Sequence, residues 1–262
     1  MDLGISGRRA IVNGGSAGMG RGGVLALARE GCELFVSARN EDRLRRVCRA
    51  IADETGASIT PIVADHSTDE GRDRILAACP EPDILVGTCS PPPTTQDYRE
   101  VSAEDWQMAL DVALLSPVKF MQAVVPGMAE RGWGRVVNIG TGAAKFPAQI
   151  RILSGGPRAA LANYCVAVSK VVAKNNVMIN NVLPGMHHTD SIYDRYTAAA
   201  RAKGTSYEQE VESFVKEWRI PAGKFGDPEH LGAFVAMFCS EFASYVTGQS
   251  LVIDGGITNA TF

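Results

Sequence analysis

The sequence predicts an α/β fold built on a doubly wound parallel sheet in a single domain, residues 1–262. Three observations lead there. Short, almost wholly apolar runs recur along the chain and alternate with helical patterns, as in a parallel sheet covered on both faces. A glycine-rich turn, "NGGSAGMG" (13–20), joins the first run to the first helix. No internal repeat, low-complexity tract or linker divides the chain, and "SPPP" (90–93) is too short to separate domains.

The elements follow in order. "RRAIVNGG" (8–15) reads as a strand running into a turn, and "GRGGVLALAREG" (20–31) as a helix closed by Gly31. "CELFVSAR" (32–39) is strand two, and "EDRLRRVCRAIADETG" (41–56) a charged amphipathic helix. "SITPIVAD" (58–65) is strand three, "DEGRDRILAACP" (69–80) a helix and "DILVGTC" (83–89) strand four. A long helix over 103–132 carries Pro117, which is expected to kink it. "GRVVNIGT" (134–141) is strand five, "GPRAALANYCVAVSKVVAKN" (156–175) a helix, "VMINNVLPG" (177–185) strand six and "QSLVIDGG" (249–256) the last strand. The stretch from about 190 to 220 is polar and helical in pattern, and is expected to form a lid over a pocket.

Bulk properties exclude several function classes. Apolar residues make up 45% of the chain and charged residues 21%, which suits a soluble globular core. A net charge of −3 offers no general attraction to nucleic acid or to an anionic membrane. The N-terminus lacks a signal pattern, and no apolar run approaches the ~18–20 residues that span a bilayer. The six cysteines are scattered, without CxxC or a histidine at metal spacing, so no metal is expected and a cytoplasmic location is. The expected partner is a small-molecule substrate.

In the glycine turn, Gly14, Gly18 and Gly20 permit a tight bend and close approach of a diphosphate to the backbone. Ser16, Ala17 and Met19 complete the loop that would bring helix N-terminal amides to that charge. The strand–turn–helix context favours a cradle over a plain turn. The spacing GxxxGxG resembles the nucleotide loop of the short-chain dehydrogenase/reductase superfamily, of the 3-oxoacyl-carrier-protein-reductase kind, with Asn13 where threonine is usual. The resemblance covers almost the whole chain and implies a Rossmann-type fold. It assigns Asp65 to adenine contact, and Pro184, Gly185 and Thr189 of "NNVLPGMHHT" to the nicotinamide end. "GTCS" (87–90) stands where the family has NNAG, which places Cys89 and Ser90 beside the cofactor. After strand two, Ala38 occupies the place of the acid that binds the ribose of NAD, and Arg39 follows. A guanidinium suits a 2′-phosphate, so NADP is the expected cofactor; the plainer alternative pairs Arg39 with Glu41 or Asp42.

Family reductases carry a Tyr and a Lys four residues apart, about 40° around one helix, and therefore on one face. Tyr164 and Lys170 are six apart, about 240°, and fail that geometry. By resemblance, the tyrosine lies about 23 residues before the strand "VMIN" and about thirteen after the strand-five hydroxyl, Thr141. Both counts reach Ser154, with Arg158 four residues on. The family asparagine falls on Ala113. The expected Asn–Ser–Tyr–Lys set thus reads Ala113, Thr141, Ser154 and Arg158. Tyr164 is then a helix-packing or interface residue.

Arginine stays charged and shuttles no proton, but it can anchor the nicotinamide ribose. Thr141 and Ser154 can polarise a carbonyl. The acid would come from elsewhere: His187 or His188 titrates in the right range, though either could equally be a solvated or capping side chain. Asp190, Tyr193 and Tyr196 fall in the lid, where specificity is usually set. Three readings compete: an NADP-dependent oxidoreductase with an atypical Thr–Ser–Arg site, a non-redox lyase or hydrolase of the same fold, and a silent NADP(H)-binding protein. Halohydrin dehalogenases of the superfamily replace the Lys with Arg, yet they keep the Tyr and lose the glycine loop, the opposite of this sequence. Relatives assemble as tetramers through the helix over 159–174 and the last strand. A homo-oligomer, tetramer or dimer, is therefore expected, with Leu161, Val166, Val168 and Val172 suited either to that contact or to the core.

Overall fold

The computed structural model describes residues 1–258. Its strands are β1 (Arg9–Asn13), β2 (Glu33–Ala38), β3 (Ile59–Val63), β4 (Ile84–Gly87), β5 (Gly134–Ile139), β6 (Val177–Pro184) and β7 (Ser250–Ile253). They form one sheet in the order β3-β2-β1-β4-β5-β6-β7, every pair parallel. The expected doubly wound, Rossmann-type sheet is therefore present. Its winding reverses between β1 and β4, so the glycine turn after β1 opens at the switch point.

The helices are α1 (Gly18–Arg29), α2 (Glu41–Thr55), α3 (Asp69–Ala78), α4 (Ala103–Leu110), α5 (Ser116–Glu130), α6 (Ile152–Val172), α7 (Asp190–Lys203), α8 (Tyr207–Glu217) and α9 (Pro228–Cys239). Strand side chains alternate between two cores. Ala10 and Val12 of β1 join Val24, Leu27, Leu44, Ile51, Leu231 and Val235 on the α1, α2 and α9 face. Ile11 joins Ile75, Phe120, Val124, Leu161 and Cys165 on the α3, α5 and α6 face. A third cluster of Tyr196, Ile220 and Phe225 seats α7 and α8, the expected lid segment, on loops at the carboxyl end of the sheet.

Several local expectations are corrected. α6 begins at Ile152, four residues before the predicted start at 156. Gly155 and Gly156, in its opening turns, allow close contact. A Cβ on Gly155 would lie 2.8 Å from the Ala143 carbonyl oxygen, and one on Gly156 would lie 3.5 Å from the Trp106 ring. The helix at 103–132 is interrupted by a π turn at Asp111–Leu115, where the Ser116 N–H reaches the Asp111 carbonyl; Pro117 sits in the first turn of α5 rather than at an interior kink. α1 ends at Arg29 with Glu30 as its C-cap, and Gly31 follows at φ 75° as the left-handed residue beyond the cap.

The composite helix Ala103–Glu130 is long and apolar enough to cross a membrane by length and composition, contrary to the sequence expectation. Its apolar residues Phe120, Met121, Val124, Val125 and Met128 are packed into the sheet's core instead. Leu161 is likewise buried in that core, with Val168 and Val172 packed against it.

α1 and α9 approach at backbone distance. A Cβ on Gly22 would lie 2.1 Å from the Pro228 carbonyl oxygen, and one on Gly232 would lie 2.1 Å from that of Gly22. Overpacking of this kind costs about 1–3 kcal/mol. Gly232→Val is expected to lower the midpoint of thermal unfolding by several degrees relative to wild type. Gly56→Ala, where the chain is left-handed but has open space, should cost less, about 1 kcal/mol. Calorimetric scans of the two variants check the contrast.

Candidate active site

The glycine turn is shaped for close approach. Gly14 has φ 76° and Gly18 φ 52°, both in the left-handed region. A Cβ on Gly20 would stand 2.3 Å from the Gly14 carbonyl oxygen. Ser37 Oγ donates to Asn13 Oδ1 at 2.8 Å, and the Gly14 N–H donates to the Ser37 carbonyl at 2.9 Å, so β2 pins the start of the loop. Ser16 is buried; Ala17 and Met19 are half-buried. Ala17 is the N-cap of α1, with no side-chain cap and no acid in the first turn. By contrast α2, α3, α4, α7, α8 and α9 each have both. The amides at the start of α1 are left for an anion.

The other residues assigned to cofactor gather on the same edge. Thr189 caps α7, and its Cγ2 is 3.1 Å from where a Gly18 Cβ would be, which brings the loop after β6 against the cradle. Pro184 is buried at the end of β6, and Gly185 follows so tightly that a Cβ would lie 2.6 Å from Asp254 Cβ. Arg39 pairs with Asp65 at 3.8 Å, rather than with Glu41 or Asp42. Asp65 also accepts from the Ser67 N–H at 3.0 Å and the Ser67 hydroxyl at 2.6 Å. Partial burial works to raise the Asp65 carboxyl, but these bonds and the Arg39 charge prevail and hold it below the usual range. Ser90 is exposed.

Ser154 and Arg158 are buried on α6, one turn apart, at 3% and 5% exposure. Arg158 Nη1 donates to Ser154 Oγ at 3.0 Å and to its carbonyl oxygen at 3.2 Å; Nη2 donates to Cys89 Sγ at 2.9 Å. Burial pushes the Cys89 thiol up despite Arg158, so the sulfur meets the guanidinium as a neutral acceptor. Thr141 lies two residues beyond β5 in extended backbone, and its hydroxyl accepts from the Ala143 N–H at 3.4 Å. The contact of Gly155 with Ala143 sets the first turn of α6 on the segment after Thr141. Thr141, Ser154 and Arg158 therefore share one corner at the carboxyl ends of β4, β5 and β6.

Beneath this corner is a cavity of about 30 Å³, with room for water, whose walls include Ala113, Arg158, Cys89, Ser116 and His66. His66 Nδ1 is 2.8 Å from Ser116 Oγ, and Ser116 Oγ donates to the His66 carbonyl at 2.8 Å. The pair is 50 residues apart in sequence, and no motif marks it. The Arg158–Cys89 bond spans 69 residues and is equally invisible to spacing.

His187, expected as a proton donor, is only 4% exposed. Its Nδ1 lies 3.2 Å from the Gly185 carbonyl, and a Cβ on Gly226 would stand 2.6 Å from its Nε2. The ring is wedged into backbone as packing. His188 is exposed and bonds the Tyr207 hydroxyl at 2.7 Å. Tyr164 packs against the α3, α5 and α6 core and Lys170 is exposed; neither lines the cavity.

The chain matches the protein-family model described as Enoyl-(Acyl carrier protein) reductase over residues 14–258. It is 28% identical to the 3-oxoacyl-[acyl-carrier-protein] reductase FabG of Aquifex aeolicus, with 98% of this chain and 100% of the relative covered. It is 30% identical to dehydrogenase/reductase SDR family member 4 of Oryctolagus cuniculus, over 96% of this chain and 94% of that one. The crystal structure of L-sorbose reductase from Gluconobacter frateurii, complexed with NADPH and L-sorbose, superposes with a TM-score of 0.94. It is 27% identical and covers 99% of this chain and 100% of its own.

Burial holds the imidazoles of His66 and His187 below their ordinary value of 6.5. The unfolded chain then binds protons that the folded chain refuses. The stability these two residues contribute is complete above pH ~6.5 and is lost as pH falls through their folded values. Urea midpoints should drop between pH 7.5 and 5.5, and His66→Gln and His187→Gln should each flatten that slope. An unaltered slope in both variants would contradict the assignment.

Proposed function

This chain belongs to the short-chain dehydrogenase/reductase family, and we propose that it is an NADP-dependent oxidoreductase acting on a carbonyl or alcohol through Thr141, Ser154 and Arg158. The observation that carries the reading is the start of α1: an uncapped, acid-free helix end beneath a turn whose glycines leave no room for side chains. That is a fit for a dinucleotide's pyrophosphate. Gly14, Ser16, Ala17, Gly18, Met19 and Gly20 would hold it, with Thr189 closing from the lid side. Arg39 would leave Asp65 for the 2′-phosphate, and Asp65 would turn to the adenine. Cys89, Ser90, Pro184 and Gly185 would border the nicotinamide. When bound, NADP(H) supplies or accepts the hydride.

The side chains account for the remainder. Thr141 and Ser154 orient the substrate oxygen and polarise it. Arg158 holds Ser154 Oγ in place and presents its remaining N–H groups to the ribose hydroxyls. It stays charged throughout, so its role is positional and electrostatic. A serine hydroxyl is a weak acid, and His187 is locked into backbone, so water held by Thr141 and Ser154 delivers the proton. The engagement of Ser154 Oγ by Arg158 favours a second reading, a silent NADP(H)-binding protein, over the lyase or hydrolase. Exposed Phe242 and Tyr245 near the sheet edge supply apolar surface for a homo-oligomer, tetramer or dimer.

Quenching of protein fluorescence on NADPH titration should show saturable binding. Arg39→Ala should weaken NADPH by about tenfold or more, while NADH changes little; equal weakening of both refutes the 2′-phosphate role. Thr141→Ala should reduce turnover of a responsive carbonyl by about a hundredfold. NADPH binding without oxidation across an aldehyde and ketone panel would select the silent reading.

A further inference from the structure

Three titratable side chains line the cavity beneath the corner: Arg158, Cys89 and His66. Arg158 stays charged, and burial keeps Cys89 a neutral thiol. His66 is the one that can exchange a proton near neutral pH. Its hydrogen bonds fix its tautomer. The Ser116 hydroxyl has a single proton and donates it to the His66 carbonyl at 2.8 Å. Ser116 Oγ must then accept at its second contact, from His66 Nδ1 at 2.8 Å. A neutral His66 therefore carries its hydrogen on Nδ1 and a lone pair on Nε2. Among the described residues, Nε2 has no protein partner.

The cavity walls favour water. Asn13, Gly87 and Asn138 are partners in register across β1, β4 and β5. The glycine leaves a gap between the two carboxamides, in which a Cβ would stand 2.9 Å from Asn138 Oδ1. Strands two places apart lie roughly 10 Å from each other, a gap that water bridges and direct bonding does not. Asn13 Oδ1 accepts from Ser37, and Asn138 Nδ2 donates to Cys165 and Asn181. Asn13 Nδ2 and Asn138 Oδ1 remain, a donor and an acceptor. The volume of about 30 Å³ suits on the order of one or two waters, and these groups with Arg158 and His66 give them partners. The same cavity touches Gly140, the residue before Thr141, and Arg158, which holds Ser154. It therefore lies between His66 and the groups assigned to the substrate oxygen.

We propose that His66 is the proton store of this site: water in the cavity passes protons between the substrate oxygen at the Thr141–Ser154 corner and His66 Nε2. The inference rests on the proposed redox reading and gives it a base. In alcohol oxidation the hydrogen on carbon leaves with its electron pair to NADP. The hydroxyl proton passes to water as water gives one to Nε2. The products are the carbonyl, NADPH and an imidazolium whose Nδ1–H still bonds Ser116; reduction returns the same proton. Arg158 stays charged and bonded to Ser154, so no proton passes through it.

The charged groups around His66 are few. Asp65 and Arg39 pair beside it at 3.8 Å. Arg158 is on the cavity wall. The Asp69–Lys119 pair, at 3.0 Å, joins α3 to α5 three residues beyond His66 and Ser116. Burial outweighs the Asp65 charge and holds the imidazole below 6.5, so His66 is a base at neutral pH. Oxidation turnover is then full above its folded value and falls as pH drops through it.

The whole protein is assayed with NADP and a panel of secondary alcohols from 2-propanol to sorbitol, from about pH 5 to pH 8, and crystallised with NADP bound. Wild type should lose turnover as pH falls below 6.5. His66→Asn, whose amide nitrogen keeps the bond to Ser116, should be about tenfold slower or worse at neutral pH and lack that inflection. Its NADPH affinity by fluorescence titration should not move. His66→Ala should recover severalfold with added imidazole, which a packing role would not allow. Ala113→Val, which fills the cavity and leaves His66 in place, should also slow turnover. The crystal should show water bonded to His66 Nε2. A pH profile that His66→Asn leaves intact, no imidazole rescue, unchanged turnover in Ala113→Val, or a dry cavity overturns the proposal while the redox reading stands. Wild type that binds NADPH but oxidises no alcohol and reduces no carbonyl removes the redox reading, and the proton role with it.

Discussion

Arg158 carries a full charge into a place where only 5% of its surface meets solvent. A guanidinium so placed must be hydrogen-bonded by protein. Ser154, one turn back on the same helix, provides a hydroxyl and a carbonyl; Cys89, at the end of β4, provides a sulfur. These bonds tie α6 to the carboxyl edge of the sheet. They also fix the hydroxyl of Ser154 in the turn of α6 that packs on Ala143, two residues after Thr141. The corner where Arg158 meets Ser154 and Cys89 is thus stiff and positively charged.

Helix ends organise the charge around that corner. Most helices begin with a side-chain cap and an acid in the first turn, which satisfies their amides internally. α1, α5 and α6 begin with neither; α5 runs straight on from the π turn, whereas α1 and α6 open on the carboxyl edge of the sheet. At α1 the glycines clear space for a backbone-bound anion.

Much of this was legible in the chain order. Alternation of apolar runs and helical patterns indicated the sheet, and the glycine spacing indicated the cradle. The angle between Tyr164 and Lys170 was enough to remove them from the site, and the structure has Tyr164 packed on the core. Register taken from the family resemblance pointed to Ser154 and Arg158, which the structure has bonded one turn apart on α6. Other features were not legible. The start of α6 at Ile152 is one, because the contacts of Gly155 and Gly156 with Ala143 and Trp106 depend on segments far away in sequence. Arg135 sits in a strand that reads as apolar, yet it is fully buried and donates to the carbonyls of Ser240, Gly134 and Asn176.

Local sequence determined element type, the position of the cradle and which side chains share a helix face, because each follows from periodicity or from the conformational freedom of glycine. Tertiary structure decided partners. It joined Arg158 to Cys89, Arg39 to Asp65 and His66 to Ser116, and it buried His187 under Gly226. Hydrogen bonds and desolvation act over a few ångströms of space, and residues that far apart in sequence acquire those distances only when the sheet is wound.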